Sequence, residues 1–221
     1  MRDEASYKFD DHGQALYYPG NTVISFINDD RFAAYRLAQQ ISQRFRESSI
    51  AHVYTFLPHT SFHMTVLKLC RHIDRGTSVW PHHVTNDASF TEIDRKLQSI
   101  VESIPKPEPI HMRVHACHAA SIRLEPATAA AAQRLAAYRE QLAQATGIRH
   151  TDHNDYAFHL TFSYQLAALH PDQEAVAQRI CSEYTEMMKR EAIVFKLPEP
   201  VFAIFNDMLH YDTNVQTRIM K

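Results

Sequence analysis

The sequence predicts an α+β protein of two pseudo-repeated lobes, each an antiparallel β-sheet with flanking helices. Three observations predict it. Strand and helix patterns alternate along the 221 residues, without the long apolar runs of a doubly wound parallel sheet. Residues 110–116 alternate cleanly between apolar and polar, as a half-buried strand does. Two similar sets of elements meet at the linker-like run Pro105–Pro109 (PKPEP). The chain is therefore read as one bilobal domain over 1–221. Its lobes span approximately 22–104 and 110–206, and the chain is free to cross between them.

The elements follow in order. Residues 1–20 read as an irregular arm. Thr22–Ile27 is a β-rich apolar run and hence a strand. Asp29 or Asp30 can cap a helix over about 31–47, whose Ala34, Leu37, Ile41 and Phe45 form one apolar stripe. His52–Leu57 and Ser61–Leu69 read as strands around a turn at Pro58–His59. Residues 71–88, with Gly76, Trp80 and Pro81, read as a loop insertion. Ser89 and Glu92 form a capping-box pattern before a helix over about 90–104.

In the second set, Ile110, Met112, Val114 and Ala116 occupy one face of a strand. His111, Arg113, His115 and Cys117 occupy the other. Ser121–Glu125 is a short strand and 127–146 an Ala-rich helix. Asp155–Leu166 reads as one strand, and Pro171 opens a helix over about 171–191. Ile193–Leu197 and Val201–Asn206 close the pattern as strands, with a further strand candidate at Met208–Thr213.

Composition sets the functional bounds. There are only 4 glycines and as many as 15 histidines. The usual glycine share of about 7% would give roughly 15. Gly13, Gly20, Gly76 and Gly147 stand far apart, so the chain has neither a Walker-type loop nor a G-x-G-x-x-G turn. Phosphate, if bound, must be held by something other than a glycine-rich cradle. A net charge of −2 and a pI near 6.7 disfavour binding of long nucleic acid and leave small anions open. Cys70, Cys117 and Cys181 form no C-x-x-C pair, which points to a reducing cytoplasm. No signal-peptide pattern or membrane-length apolar run is read, so no membrane partner is expected.

The chemistry concentrates in two segments. Phe62-His63-Met64-Thr65-Val66 and Phe158-His159-Leu160-Thr161-Phe162 both read aromatic, His, apolar, Thr, apolar. On a strand, His63 and Thr65 share one face, as do His159 and Thr161, with about 7 Å between imidazole and hydroxyl along the strand. The bare pattern His-x-Thr is weak, because composition alone gives about one match. A third match, His83-Val84-Thr85, lies in the insertion without apolar alternation and is read as a decoy. The full five-residue pattern, once in each half, is much more specific.

This repeated pattern resembles the 2H phosphoesterase superfamily, which includes 2′,5′-RNA ligase-like proteins and cyclic nucleotide phosphodiesterases. The resemblance covers roughly 22–206 in organisation and about ten positions in identity. It implies two His-x-Thr strands, one per half, facing each other across a cleft. Here His63 and His159 would be catalytic, and Thr65 and Thr161 phosphate-binding. The insertion at 71–88 and the extension beyond 206 depart from the pattern.

The chemistry also follows from the residues alone. Hydrolysing a phosphodiester needs a base for water and an acid for the leaving oxygen. Two imidazoles suit this, because a pKa near 6.5 lets one be neutral and the other protonated. Threonine hydroxyls can stabilise charge on the nonbridging oxygens. The scheme needs no cofactor or metal. The expected activity is that of a metal-independent phosphodiesterase on a 2′,3′-cyclic phosphate or related nucleotide. The alternatives are a His-rich metallohydrolase and a noncatalytic nucleotide- or phosphate-binding protein on the same scaffold.

Arg113 and Arg123 are candidate substrate contacts, because both lie on strands that can line the second half of the cleft. Tyr54 is a candidate stacking residue and Trp80 a candidate lid contact. Tyr156 and Tyr164 have parity opposite to His159 and are expected in the core. His111, His115 and His118 would line one face of a helix, but the local alternation says strand. There His118 would face away from the other two. The pairs His59 and His63, and His150 and His153, lie in no readable helix and form no H-E-x-x-H motif.

Overall fold

The computed structural model describes residues 4–218. It is an α+β fold of four α-helices around a large antiparallel sheet. The strands are β1 (Gly20–Phe26), β2 (Tyr54–Phe56), β3 (His63–Arg71), β4 (His111–His118), β5 (Ser121–Pro126), β6 (His159–Thr161), β7 (Ser163–Gln165), β8 (Val194–Lys196) and β9 (Val201–Phe205). The helices are α1 (Ala33–Arg46), α2 (Phe90–Ser103), α3 (Ala129–Thr146) and α4 (Pro171–Glu191). Seven strands form one continuous sheet in the order β8-β4-β5-β6-β3-β1-β9, while β2 and β7 pair separately. The late strand β9 lies beside β1, so elements from both ends of the sequence meet at one sheet edge.

Local chemistry explains most boundaries. The Ser89–Glu92 capping box is formed, with Ser89 N–H donating to Glu92 at 2.9 Å. Thr128 caps α3, and Gly147 ends it at φ 69°, where a residue without Cβ is favoured. The cap expected of Asp29 or Asp30 does not form. Asp29 instead accepts from the N–H of Arg31, and α1 begins after Phe32, which has no side-chain cap. Gly20 is required for a close approach: a Cβ there would lie 2.5 Å from the Phe205 ring and 2.7 Å from the Cys70 carbonyl.

Three other expectations change. The strand read over Asp155–Leu166 breaks at Phe162, whose backbone bonds Leu57 and Ala120, so it becomes β6 and β7 in two different sheets. Met208–Thr213 contributes only an isolated bridge, Ile204 with Asp212. In β4 the register slips between Val114 and Ala116. That bulge inverts the parity, burying Cys117 and exposing His118 along with His111 and His115.

The segment after β9 is clamped to the body. Arg218 meets Asp94 in a two-pronged ion pair at 2.6 and 2.9 Å, with both side chains buried. Arg218 also donates to the carbonyls of Phe205 and Gly20, and Asn21 donates to Asp94. The insertion folds back as a packed unit with Trp80 inside it. Among the described residues, no helix is long and apolar enough to cross a membrane.

Candidate active site

The two motif strands are direct neighbours. β3 and β6 run antiparallel with Met64 opposite Leu160. That register sets His63 beside Thr161 and Thr65 beside His159. Met64 and Leu160 are fully buried, so the four polar side chains share the opposite face. The site therefore stands over the strand pair, in the cleft that the two motif strands share.

A cavity of about 360 Å³ lies there, lined by all four motif residues. Each imidazole is fixed in the same way. Nδ1 of His63 lies 2.7 Å from the Ser61 carbonyl, and Nδ1 of His159 lies 2.6 Å from the Ala157 carbonyl. A carbonyl only accepts, so each Nδ1 carries a proton and Nε2 is left for chemistry. Burial, helped by the charges of His159 and Lys8 and opposed by the Ser61 hydrogen bond, lowers the His63 pKa to about 4. Burial also lowers His159, and Lys8, Arg123 and Lys68 add to that.

The rest of the wall is aromatic and basic. The Tyr211 ring lies 4.2 Å from the His63 ring, and the Tyr156 ring 6.1 Å from the His159 ring. Burial pushes the Tyr156 phenol up to about 12, against a hydrogen bond with Thr65. Lys8 reaches in from the N-terminal arm, and Lys68 does so from β3, where it is paired with Asp152 at 2.7 Å.

The other sequence candidates scatter. Arg123 is directly opposite His159 in the β5–β6 register and so shares its face. Arg113 lies further out on that sheet and pairs with Glu125 at 3.2 Å. Trp80 is only 5% exposed, and its indole N–H donates to the Val84 carbonyl. Tyr54 is buried against Phe45. Neither Trp80 nor Tyr54 lines the cavity, so the lid and stacking expectations for them are corrected. His83 and Thr85 are exposed on the insertion, away from the cavity. The His59 ring contacts Gln39, and His153 contacts Glu140. Among the described residues, no three His, Cys, Asp or Glu side chains gather as a metal site.

Sequence parity placed Tyr156 and Tyr164 in the core, and both line the cavity. Tyr156 precedes the start of β6, and Tyr164 follows the break at Phe162, so strand parity applies to neither. Lys8 and Tyr211 lie outside all regular elements apart from bridges and 3-10 turns, where periodicity carries no signal.

A family profile described as 2H-phosphodiest, a domain of unknown function (DUF1868), matches residues 8–123, more than half of the chain. The chain belongs to this family. That match holds the first motif, Lys8 and Arg123, and it stops before the second motif. The pairing of β6 with β3 is what brings His159 and Thr161 to the same site. A conserved protein of unknown function, ATU0111 from Agrobacterium tumefaciens str. C58, is similar in structure. Its TM-score is 0.87 at 27% identity, over 94% of this chain and 89% of that one. A structure described as a phosphoesterase aligns with a TM-score of 0.45 at 10% identity, over 84% of this chain and 88% of that one. E. coli LigT complexed with ATP aligns at 0.43 and 11% identity, over 84% and 87%. No curated protein matches the chain.

Proposed function

We propose that this chain is a metal-independent phosphodiesterase that hydrolyses a 2′,3′-cyclic phosphate or a related nucleotide by two-histidine acid–base catalysis. The observation that carries it is the pair of imidazoles on neighbouring antiparallel strands, each locked through Nδ1 so that Nε2 faces the reaction. Water attacks phosphorus as one Nε2 takes its proton. The other Nε2–H protonates the departing oxygen. The hydroxyls of Thr65 and Thr161 donate to the nonbridging oxygens, and Arg123 beside His159 adds positive potential. Burial holds both imidazoles below the ordinary histidine range. A bound phosphodiester places a negative charge beside them and raises both, which supplies the protonated partner. Three free thiols suit work in the reducing cytoplasm.

The test is a phosphodiesterase screen in chelator with wild type, His63→Ala and His159→Ala. The expected result is turnover of a cyclic nucleotide by wild type, with each variant slower by at least about two decades. Wild-type turnover in either variant overturns the mechanism. Activity lost to chelator and restored by a divalent metal would instead favour a metallohydrolase. Binding of 2′-phosphonucleotides without any hydrolysis would favour a binding protein.

A further inference from the structure

At the end of the cavity beside His63, three donors from three separate parts of the chain come together. The phenols of Tyr164 (on β7) and Tyr211 (in the segment after β9) both point at the sulfur of Met208, at 3.7 and 3.6 Å. The Nζ of Lys8, from the N-terminal arm, lies 3.4 Å from the Tyr164 hydroxyl and 4.9 Å from its ring centroid. All four residues line the cavity. A thioether is a weak acceptor, so two half-buried phenols spend their protons on a poor partner. An anionic oxygen entering here would take both protons and gain the lysine charge.

We propose that Lys8, Tyr164 and Tyr211 form a second phosphate subsite, so that the preferred substrate carries a terminal phosphate in addition to the phosphodiester that is cut. A terminal phosphate has three free oxygens, one for each donor, and a tetrahedral shape that donors from three segments can surround. Tyr211 joins the subsites, since its ring lies tilted against His63 while its hydroxyl faces the second one. The inference rests on the phosphodiesterase reading for the identity of the first subsite. It goes beyond the two motifs, because none of its three residues belongs to either.

The test is calorimetric binding in chelator of two product-like probes, adenosine 2′-monophosphate and adenosine 2′,5′-bisphosphate. Wild type, Lys8→Met and the double variant Tyr164→Phe/Tyr211→Phe are compared, each substitution keeping the stem or ring. The expected result is that wild type binds the bisphosphate at least about tenfold more tightly and that this preference falls toward one in both variants. Equal binding of the two probes by wild type, binding of neither, or a preference that survives in both variants overturns the subsite. Turnover of adenosine 2′,3′-cyclic phosphate is read separately. Its absence alongside a Lys8-dependent bisphosphate preference would sink the hydrolytic reading and leave the subsite standing.

Discussion

His63 and His159 belong to motifs that match residue for residue, and yet their supports differ. β3 runs for nine residues and pairs with β1 along nearly its whole length, whereas β6 has only three residues. Both rings are tethered to the carbonyl two residues back, so the motif itself dictates the tautomer twice. What surrounds the rings is not duplicated. His63 is covered by Tyr211 from the C-terminal segment, while His159 sits between Tyr156 and Arg123. A repeated five-residue pattern therefore produces equivalent local geometry but not equivalent chemistry. The asymmetry is imported from segments outside the repeat.

The largest expected effect treats the two motifs alike. Removal of either imidazole, in His63→Ala or His159→Ala, is expected to lower kcat by about 10²–10⁴-fold. Steady-state rates on a cyclic nucleotide read this directly. A large loss in one variant with none in the other would break the equivalence.

The next effect separates the two. Arg218 clamps the segment that carries Tyr211 over His63, whereas on the His159 side a different buried guanidinium, Arg139, donates to the His153 carbonyl and lies 4.9 Å from the Tyr156 ring centroid. Arg218→Leu leaves Asp94 buried without its partner, which costs about 3–5 kcal/mol of stability. Denaturant unfolding measures that cost. Because the segment covers His63 alone, residual folded protein should lose NMR contacts between Tyr211 and His63 while keeping those between Tyr156 and His159. Equal loss at both rings would mean that the supports are coupled.

A smaller effect concerns the hydroxyls. Thr65→Val and Thr161→Val each remove a donor to a charged oxygen, worth about 1.5–3 kcal/mol, or roughly ten- to hundredfold in kcat/KM. The Thr65 hydroxyl also bonds Tyr156. Its removal is therefore expected to shift substrate affinity as well as rate, unlike that of Thr161. Separate kcat and KM values for the two variants decide this.

The contrast also explains what was legible in the sequence. The motif strands, the four long helices and the Ser89 cap were readable because periodicity and capping are local signals. His63, Thr65, His159 and Thr161 were readable because a five-residue pattern occurred twice. The antiparallel pairing of β3 with β6 was not, since it depends on contacts between residues 96 apart in sequence. Tyr156 and Tyr164 were misassigned because parity holds only inside an unbroken strand, and Tyr156 lies before β6 begins while Tyr164 lies beyond the break at Phe162. Trp80 and Tyr54 looked like ligands because aromatic side chains serve both cores and sites, and here packing took them. Lys8 and Tyr211 come from irregular chain that no repeat or period marks.

The last prediction uses pH to read the asymmetry. His63 has a pKa of about 4 in the folded chain, against about 6.5 in the unfolded one. The unfolded chain thus binds more protons across that interval, and folding stability is lost as pH falls from about 6.5 toward 4. The same shift governs rate. In kcat/KM, which reports the free enzyme, the acid limb should lie below the ordinary histidine range. In kcat, which reports the complex, the substrate's negative charge raises both imidazoles, so the limb should move to higher pH. Lys8 lowers both histidines from the N-terminal arm, after the larger effect of burial. Lys8→Met should therefore move the kcat/KM limb upward, by less than the movement substrate causes. The Arg123 charge lowers His159, which it faces across β5 and β6, so Arg123→Met should raise that ring and leave His63 in place. NMR titration of the two imidazoles separates these outcomes. If Arg123→Met moved both rings equally, the unequal surroundings would have no chemical consequence.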